Sequence, residues 1–324
     1  TDVKFRVLDK QNNVIKPDST IEVSNVDTNK QYWYHPKDKN GVLLLLGNYK
    51  VNSVEGLTSK GYEFSVTKDT ELVDVATDVC RVSGTCRIVG EKGGKYQILA
   101  FKTNSKMIYA YPEDGKYEMF LEAGVYNFII TYTDEKNSKE HTLVRQEVTV
   151  PDAPYEKNFD IVAGSLSGQL TWKDGTSAMY GESSLCLYSD GFASGDITAD
   201  LKADGSFSFS YVPYGTYTMK LDDKDIGTVT INSADKQQDY TINGYQIAVV
   251  VKEANGEFAK DKWIRVEKDE KTEYYYVDND KGLALVIVDE PGTYEVCSYD
   301  NGNRIYYGTV TVTDKNVSCA LTAE

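Results

Sequence analysis

Residues 204–221 read Asp204-Gly205-Ser206-Phe207-Ser208-Phe209-Ser210-Tyr211-Val212-Pro213-Tyr214-Gly215-Thr216-Tyr217-Thr218-Met219-Lys220-Leu221. Asp-Gly suits a tight turn, and Phe207, Phe209 and Tyr211 then alternate with serines, so one face of a strand is apolar and the other wet. Pro213 and Gly215 interrupt the strand, and Tyr217, Met219 and Leu221 set out a second apolar row with the same period of two. The grammar is turn, strand, turn, strand, and it recurs. Asp114-Gly115 leads to Tyr117, Met119 and Leu121, and Gly124 to Tyr126, Phe128 and Ile130. Asn279-Asp280-Lys281-Gly282 leads to the apolar run 283–288, and Pro291-Gly292 to Tyr294 and Val296. Lys39-Asn40-Gly41 leads to the apolar run 42–46, and Gly47 to Tyr49 and Val51. The anchoring tyrosines Tyr49, Tyr126, Tyr217 and Tyr294 return roughly every 80 residues, the signature of four similar modules. Strand parity predicts that all four point inward on equivalent strands.

Further runs of alternating or β-branched residues bring each module to about seven short strands. The predicted modules are residues 1–78, 79–163, 164–244 and 245–324. No Gly/Ser or Pro-rich tether separates them, and such short joints predict a semi-rigid rod. The chain is therefore expected to be all-β, four tandem seven-stranded Greek-key sandwiches of transthyretin-like or immunoglobulin-like type. Leu43, Leu44, Leu45 and Leu46 read as a buried strand, and no apolar run approaches the length of a membrane helix.

Composition sharpens this picture. Aromatic residues make up 12% of the 324, with 25 tyrosines, a bias toward strands. The balance of 35 basic against 50 acidic residues, net −15, repels a phosphate backbone and argues against nucleic acid as a partner. The chain begins at Thr1 without a Met or a signal peptide and reads as a processed or excised portion of something longer. The five cysteines lack C-x-x-C spacing. Cys80 and Cys86, on one face of one strand, would be about 20 Å apart and read as reduced core residues. Parity places Cys297 outward, away from Cys319, which shares a face with Val317 and Leu321.

Candidate chemistry is sparse. His35 and His141 are the only histidines, and neither has a ligand-like neighbour, so zinc sites and Ser-His-Asp triads are disfavoured. No nucleophile elbow or phosphate loop occurs, and small sandwiches leave little room for the cleft a carboxylate pair needs. The chain is expected to be non-enzymatic, with no cofactor and no catalytic or metal residue. Asp278-Asn279-Asp280 with Gly282, and Asp222-Asp223-Lys224-Asp225, look superficially like calcium loops but lack the closing Glu of the twelve-residue pattern. Two stretches stand out as ligand-binding candidates: Tyr32-Trp33-Tyr34 and Tyr274-Tyr275-Tyr276. Three successive rings on a strand cannot all face the core, so some are presented either to a neighbouring module or to a sugar or protein partner.

The third module carries a resemblance. Its opening Ser167-Gly168-Gln169-Leu170-Thr171-Trp172-Lys173-Asp174-Gly175, with the later Asp204-Gly205-Ser206-Phe207-Ser208-Phe209 and then Pro213, Gly215, Thr216 and Tyr217, resembles the carboxypeptidase regulatory-like and collagen-adhesin B-type domains of the transthyretin-like superfamily. The resemblance implies a seven-stranded sandwich serving as a stalk or spacer in bacterial surface proteins or beside secreted enzymes. Some collagen-adhesin B-type members carry an internal Lys–Asn isopeptide bond. Lys4, Lys252, Asn158 and Asn316 lie near the expected strands, without a convincing Lys–Asn pair and apolar-flanked acid together in one module. The expected role is a stalk or adhesion segment of a secreted or cell-wall-attached bacterial protein. It would be extracellular, monomeric and not inserted in a membrane, with a glycan or a host or other extracellular protein as partner. The alternatives are a carbohydrate-binding array and accessory modules of a secreted polysaccharide-degrading enzyme.

Overall fold

The computed structural model describes residues 1–15, 20–35, 41–54, 62–91, 94–103, 105, 107–136, 138–177, 179–181, 183–192, 196–269, 271–277 and 280–324. The architecture is all-β, a series of sandwiches, and the chain divides into two compact units, Thr1–Val162 and Ala163–Glu324.

Each unit holds two sandwiches built on one plan. In the first, Asp2–Leu8 pairs antiparallel with Val42–Leu43 and parallel with Leu72–Ala76. The opposite sheet runs Gln31–Tyr34, Ile21–Asn25, Gly47–Val54, Glu63–Val66 in spatial order. In the second, Val79–Ile88 pairs antiparallel with Lys116–Glu122 and parallel with Tyr155–Glu156 and Phe159–Ile161. Its opposite sheet runs Ile108–Ala110, Lys95–Phe101, Gly124–Thr133, Glu140–Val150.

In the second unit, Ala163–Trp172 takes the place of Val79–Ile88, with Ser206–Pro213 antiparallel and Asp235–Gln237 and Tyr240–Ile242 parallel beside it. The facing sheet is Ile197–Thr198, Leu185–Tyr188, Gly215–Leu221, Lys224–Ile231. In the last sandwich, Tyr245–Lys252 lies between Leu283–Val288 and the parallel Val317–Thr322. Opposite it stand Lys271–Val277, Lys262–Lys268, Gly292–Asp300 and Asn303–Val312. Apolar side chains from both sheets meet between them, as in the cluster of Leu166, Leu170, Trp172, Phe209, Tyr217 and Met219.

The alternation read along the chain accounts for this. Tyr49, Tyr126, Tyr217 and Tyr294 are buried, each on the third strand of its four-stranded sheet. Each phenol turns back to the strand it left: the hydroxyls of Tyr49, Tyr217 and Tyr294 donate to the carbonyls of Leu45 (3.0 Å), Pro213 (2.8 Å) and Glu290 (2.5 Å), and Tyr126 meets the Glu122 backbone. These bonds tie each buried ring to the chain just before its strand, where the backbone crosses between sheets. At the Asp204-Gly205 turn Gly205 adopts φ +80°, while the side chain and N–H of Ser206 hold the Asp204 carboxyl below its usual range.

A second device joins the first and last strands. The N–H groups of Thr85, Gln169 and Gln246 donate to Oδ1 of Asn158 (2.8 Å), Asp239 (2.9 Å) and Asn316 (2.7 Å), each just before a last-strand segment. Asn158 and Asn316, the asparagines nearest the isopeptide pattern, are thus engaged with backbone, and Lys252 lies over the Phe258 ring at 5.2 Å.

Several expectations are corrected. Leu44 is buried, but Leu43, Leu45 and Leu46 are exposed, at 69%, 70% and 64%. Leu43 faces away from its own core, as Phe120 and Ile287 do on the corresponding strands. Those two pack against the sandwich before theirs, a neighbour Leu43 lacks among the described residues. Cys297 is fully buried although parity turns it from the core. A β-bulge falls between Val296 and Cys297, and the side chains of Arg304 and Glu267 reach the thiol. All five cysteines are free thiols. Asp222 and Asp223, at φ 47° and 70°, form the tight hairpin turn between Gly215–Leu221 and Lys224–Ile231. Asp278 and Asn279 of the other acidic stretch lie outside the described residues, as do Lys39 and Asn40.

Candidate binding face

Both aromatic triplets fall on the same element, the edge strand that opens the four-stranded sheet. On Gln31–Tyr34 the inward residues are the outer members of the triplet. Tyr34 is buried 5.5 Å from Phe5, and Tyr32 packs edge-on to Tyr49 at 6.0 Å, with Lys30 over its ring. Trp33 alone faces out, 55% exposed, opposite Glu22 on the neighbouring strand. On Lys271–Val277 the parity is reversed, because Ile264 pairs with Tyr275 and Ile264 belongs to the core. Tyr275 therefore packs inward, its hydroxyl 3.4 Å from both the N–H and the carbonyl of Ile287, and burial pushes its phenol up to about 12. Tyr274 and Tyr276 face out.

Register then assembles a surface that the triplet alone does not show. Trp263 pairs with Tyr276 and Arg265 with Tyr274 across one ladder, and Arg265 pairs with Cys297 across the next. Directly paired residues share a face, so Trp263, Arg265, Tyr274 and Tyr276 stand together, and Tyr299, two residues beyond Cys297, joins them. The Trp263 and Tyr276 rings are 5.2 Å apart at 56°. The Arg265 guanidinium lies 4.1 Å from the centre of the Tyr299 ring and 5.0 Å from that of Tyr274. Trp263, Tyr274, Tyr276 and Tyr299 are each about half exposed. Arg265, Trp263, Tyr274 and Tyr299 line an open groove, with Asp261, Lys262 and Asp300 along it.

Ion pairs bound this face. Arg304 donates to Glu267 and Glu295, both at 2.8 Å, bonds that hold its guanidinium charged beyond the ordinary value. Lys262 pairs with Glu253. On the other side of the edge strand, Tyr274, Tyr275 and Tyr276 border a cleft shared with Ser184, Asp222 and Lys224 of the preceding sandwich. There Asp222 accepts from the Ser184 N–H at 2.6 Å, and burial pushes its carboxyl up.

Sequence reasoning missed Trp263, Arg265 and Tyr299. The alternation Trp263-Ile264-Arg265-Val266 carried their outward direction, but only the register showed what they stand beside. It also missed Tyr109 and Tyr111, exposed at the corresponding edge of the second sandwich. The third sandwich has Ile197–Thr198 at that place and no aromatic. Among the described residues no group of three or more His, Cys, Asp or Glu side chains could hold a metal ion. No helix is long and apolar enough to cross a membrane.

No protein-family model matches the chain, and no curated protein does. Among solved structures it is similar to the Bacillus anthracis TIE protein, at 12% identity over 99% of this chain and 73% of that one, TM-score 0.23. It is also similar to a streptococcal ancillary pilin, at 8% identity over 76% of this chain and 99% of that one, TM-score 0.22. A third is BcpA, the major pilin subunit of Bacillus cereus, at 10% identity over 99% and 98%, TM-score 0.20. Likenesses this distant carry no argument about what the chain does, which has to come from its own geometry.

Proposed function

We propose that the chain is a non-enzymatic, force-transmitting stalk segment of a secreted or cell-wall-attached bacterial surface protein, made of four modules at residues 1–78, 79–163, 164–244 and 245–324. The observation that carries this is the pairing of first and last strands. In all four sandwiches they are parallel neighbours in one ladder, for example Lys4 to Leu8 with Leu72 to Ala76, and Ile247 to Lys252 with Val317 to Thr322. Parallel neighbours put the start of the first strand and the end of the last at opposite ends of the module. A pull along the chain then loads their hydrogen bonds in shear, and several must break together rather than one after another. The Asn158, Asp239 and Asn316 bonds add to the same seam. The resemblance of residues 204–217 to surface-protein spacer domains supports the extracellular setting.

Single-molecule stretching of the whole chain tests this. Four separate events are expected, each releasing about 250 Å, since roughly 80 residues at about 3.5 Å each are freed from a module a few tens of ångströms long. One continuous extension, or rupture at the low forces that unzip a hairpin, would overturn the reading.

A further inference from the structure

Arg265 is a charged side chain on the outer face of the last sandwich, paired across the ladder with Tyr274. Its guanidinium is fixed between two tyrosine rings, Tyr274 at 5.0 Å and Tyr299 at 4.1 Å. The carboxylate paired with it, Glu267, is 3.8 Å away, beyond hydrogen-bond reach, and Glu267 is itself bound by Arg304 at 2.8 Å. Among the described residues the Arg265 guanidinium makes no hydrogen bond, so its planar fork of N–H donors is oriented but unused. The two rings restrict the rotation that would normally be lost on binding, which favours a partner of fixed geometry.

We propose that this groove binds a carboxylate-bearing sugar, with its carboxylate taken by Arg265 and the C–H face of its ring laid against the neighbouring aromatics. The fork matches both oxygens of a carboxylate. Asp261 and Asp300 border the same groove and penalise a doubly charged phosphate more than a singly charged carboxylate, and the net charge of −15 disfavours a dense polyanion. Lys262 does not compete for the ligand, because its ammonium is paired with Glu253. One pleat along the strands, about 7 Å from Arg265, Trp263 and Tyr276 form a second aromatic surface within reach of the next sugar unit. An amphipathic pyranose fits an open groove lined by aromatic rings better than a peptide side chain, which needs a pit to fill. The proposal is independent of the stalk reading, since stretching and ligand titration fail separately.

The test is a titration of the whole chain with a trisaccharide that carries a single glucuronic acid unit and with its methyl ester, followed by tryptophan fluorescence and calorimetry. The acid is expected to bind at least tenfold more tightly than the ester, the value of a charge-assisted bidentate contact. Arg265→Gln should abolish that preference, Arg265→Lys should restore part of it, and Tyr299→Ala should weaken the acid roughly tenfold. Trp33→Ala, on another sandwich, should change nothing, and unaltered circular dichroism would show each variant folded. Equal binding of acid and ester, no binding of either at millimolar concentration, or preference for an acidic peptide such as tetraglutamate over the sugar would each overturn the assignment.

Discussion

Gly168→Ala tests the seam between first and last strands at its tightest point. A Cβ on Gly168 would lie 2.0 Å from the carbonyl oxygen of Gln238 and 2.9 Å from Cζ of Phe207. An ordinary carbon–oxygen contact is about 3.3 Å, so the last strand has to retreat by about 1.3 Å. Two hydrogen bonds flank the contact, Gln238 N–H to the Ser167 carbonyl at 3.0 Å and Gln169 N–H to Asp239 Oδ1 at 2.9 Å, and that retreat carries both past bonding distance. The first is worth about 1 kcal/mol and the second, to a carboxylate, about 1.5–3 kcal/mol, so the third sandwich should lose roughly 2.5–4 kcal/mol. At about 4–8 °C per kcal/mol for a domain of this size, its melting point should fall by roughly 10–30 °C. Trp172, 1% exposed in that sandwich, reports the transition by the red shift of its emission, against the constant background of exposed Trp33 and Trp263. Gly191→Ala is the control, since its Cβ would meet only Ser189 Oγ at 3.9 Å, and it should stay within about 0.5 kcal/mol of the parent. A Gly168→Ala chain whose Trp172 transition moved by less than about 3 °C would refute the reasoning.

The other expectations are smaller in scale. Gly84→Ala, with its Cβ 2.0 Å from the Lys157 carbonyl oxygen, should damage the second sandwich in the same way and leave the Trp172 transition unmoved. Tyr217→Phe should destabilise its sandwich by about 1–2 kcal/mol, because the Pro213 carbonyl loses its donor, and urea denaturation should show it. Burial pushes the phenols of Tyr126, Tyr217 and Tyr275 up to about 12, against about 10 in an unfolded chain. The folded form therefore holds its protons longer; the stability this gives is intact below about pH 10 and is lost as pH rises through 12, which alkaline melting with absorbance at 295 nm can follow. Cys86, whose thiol burial pushes up to about 12, should resist thiol reagents until the chain unfolds, while the half-buried Cys319 reacts first.

The period of two along the chain determined the strands, the all-β class and the inward direction of Tyr49, Tyr126, Tyr217 and Tyr294, because parity on a pleated strand is a local property that each stretch carries by itself. The same local rule required that rings in Tyr32-Trp33-Tyr34 and Tyr274-Tyr275-Tyr276 leave the core. It did not say which ones. That depended on whether the triplet's middle or its flanking residues sat opposite an inward residue of the next strand: Tyr32 opposite Val23 in one case, Tyr275 opposite Ile264 in the other. Pairing across strands also decided that Arg265 stands between Tyr274 and Tyr299, residues 9 and 34 positions further along the chain. A bulge beside Cys297 and the Arg304 side chain over it buried a thiol that parity had turned outward. Leu43, Leu45 and Leu46 looked like core by composition, yet Leu45 and Leu46 lie in the connection between Val42–Leu43 and Gly47–Val54, and Leu43 is on a strand's second face, which is covered only where another sandwich lies against it, as at Phe120 and Ile287. Direction is written in the spacing of residues, whereas neighbours are set by register and by contacts between sheets, which join positions far apart in the chain.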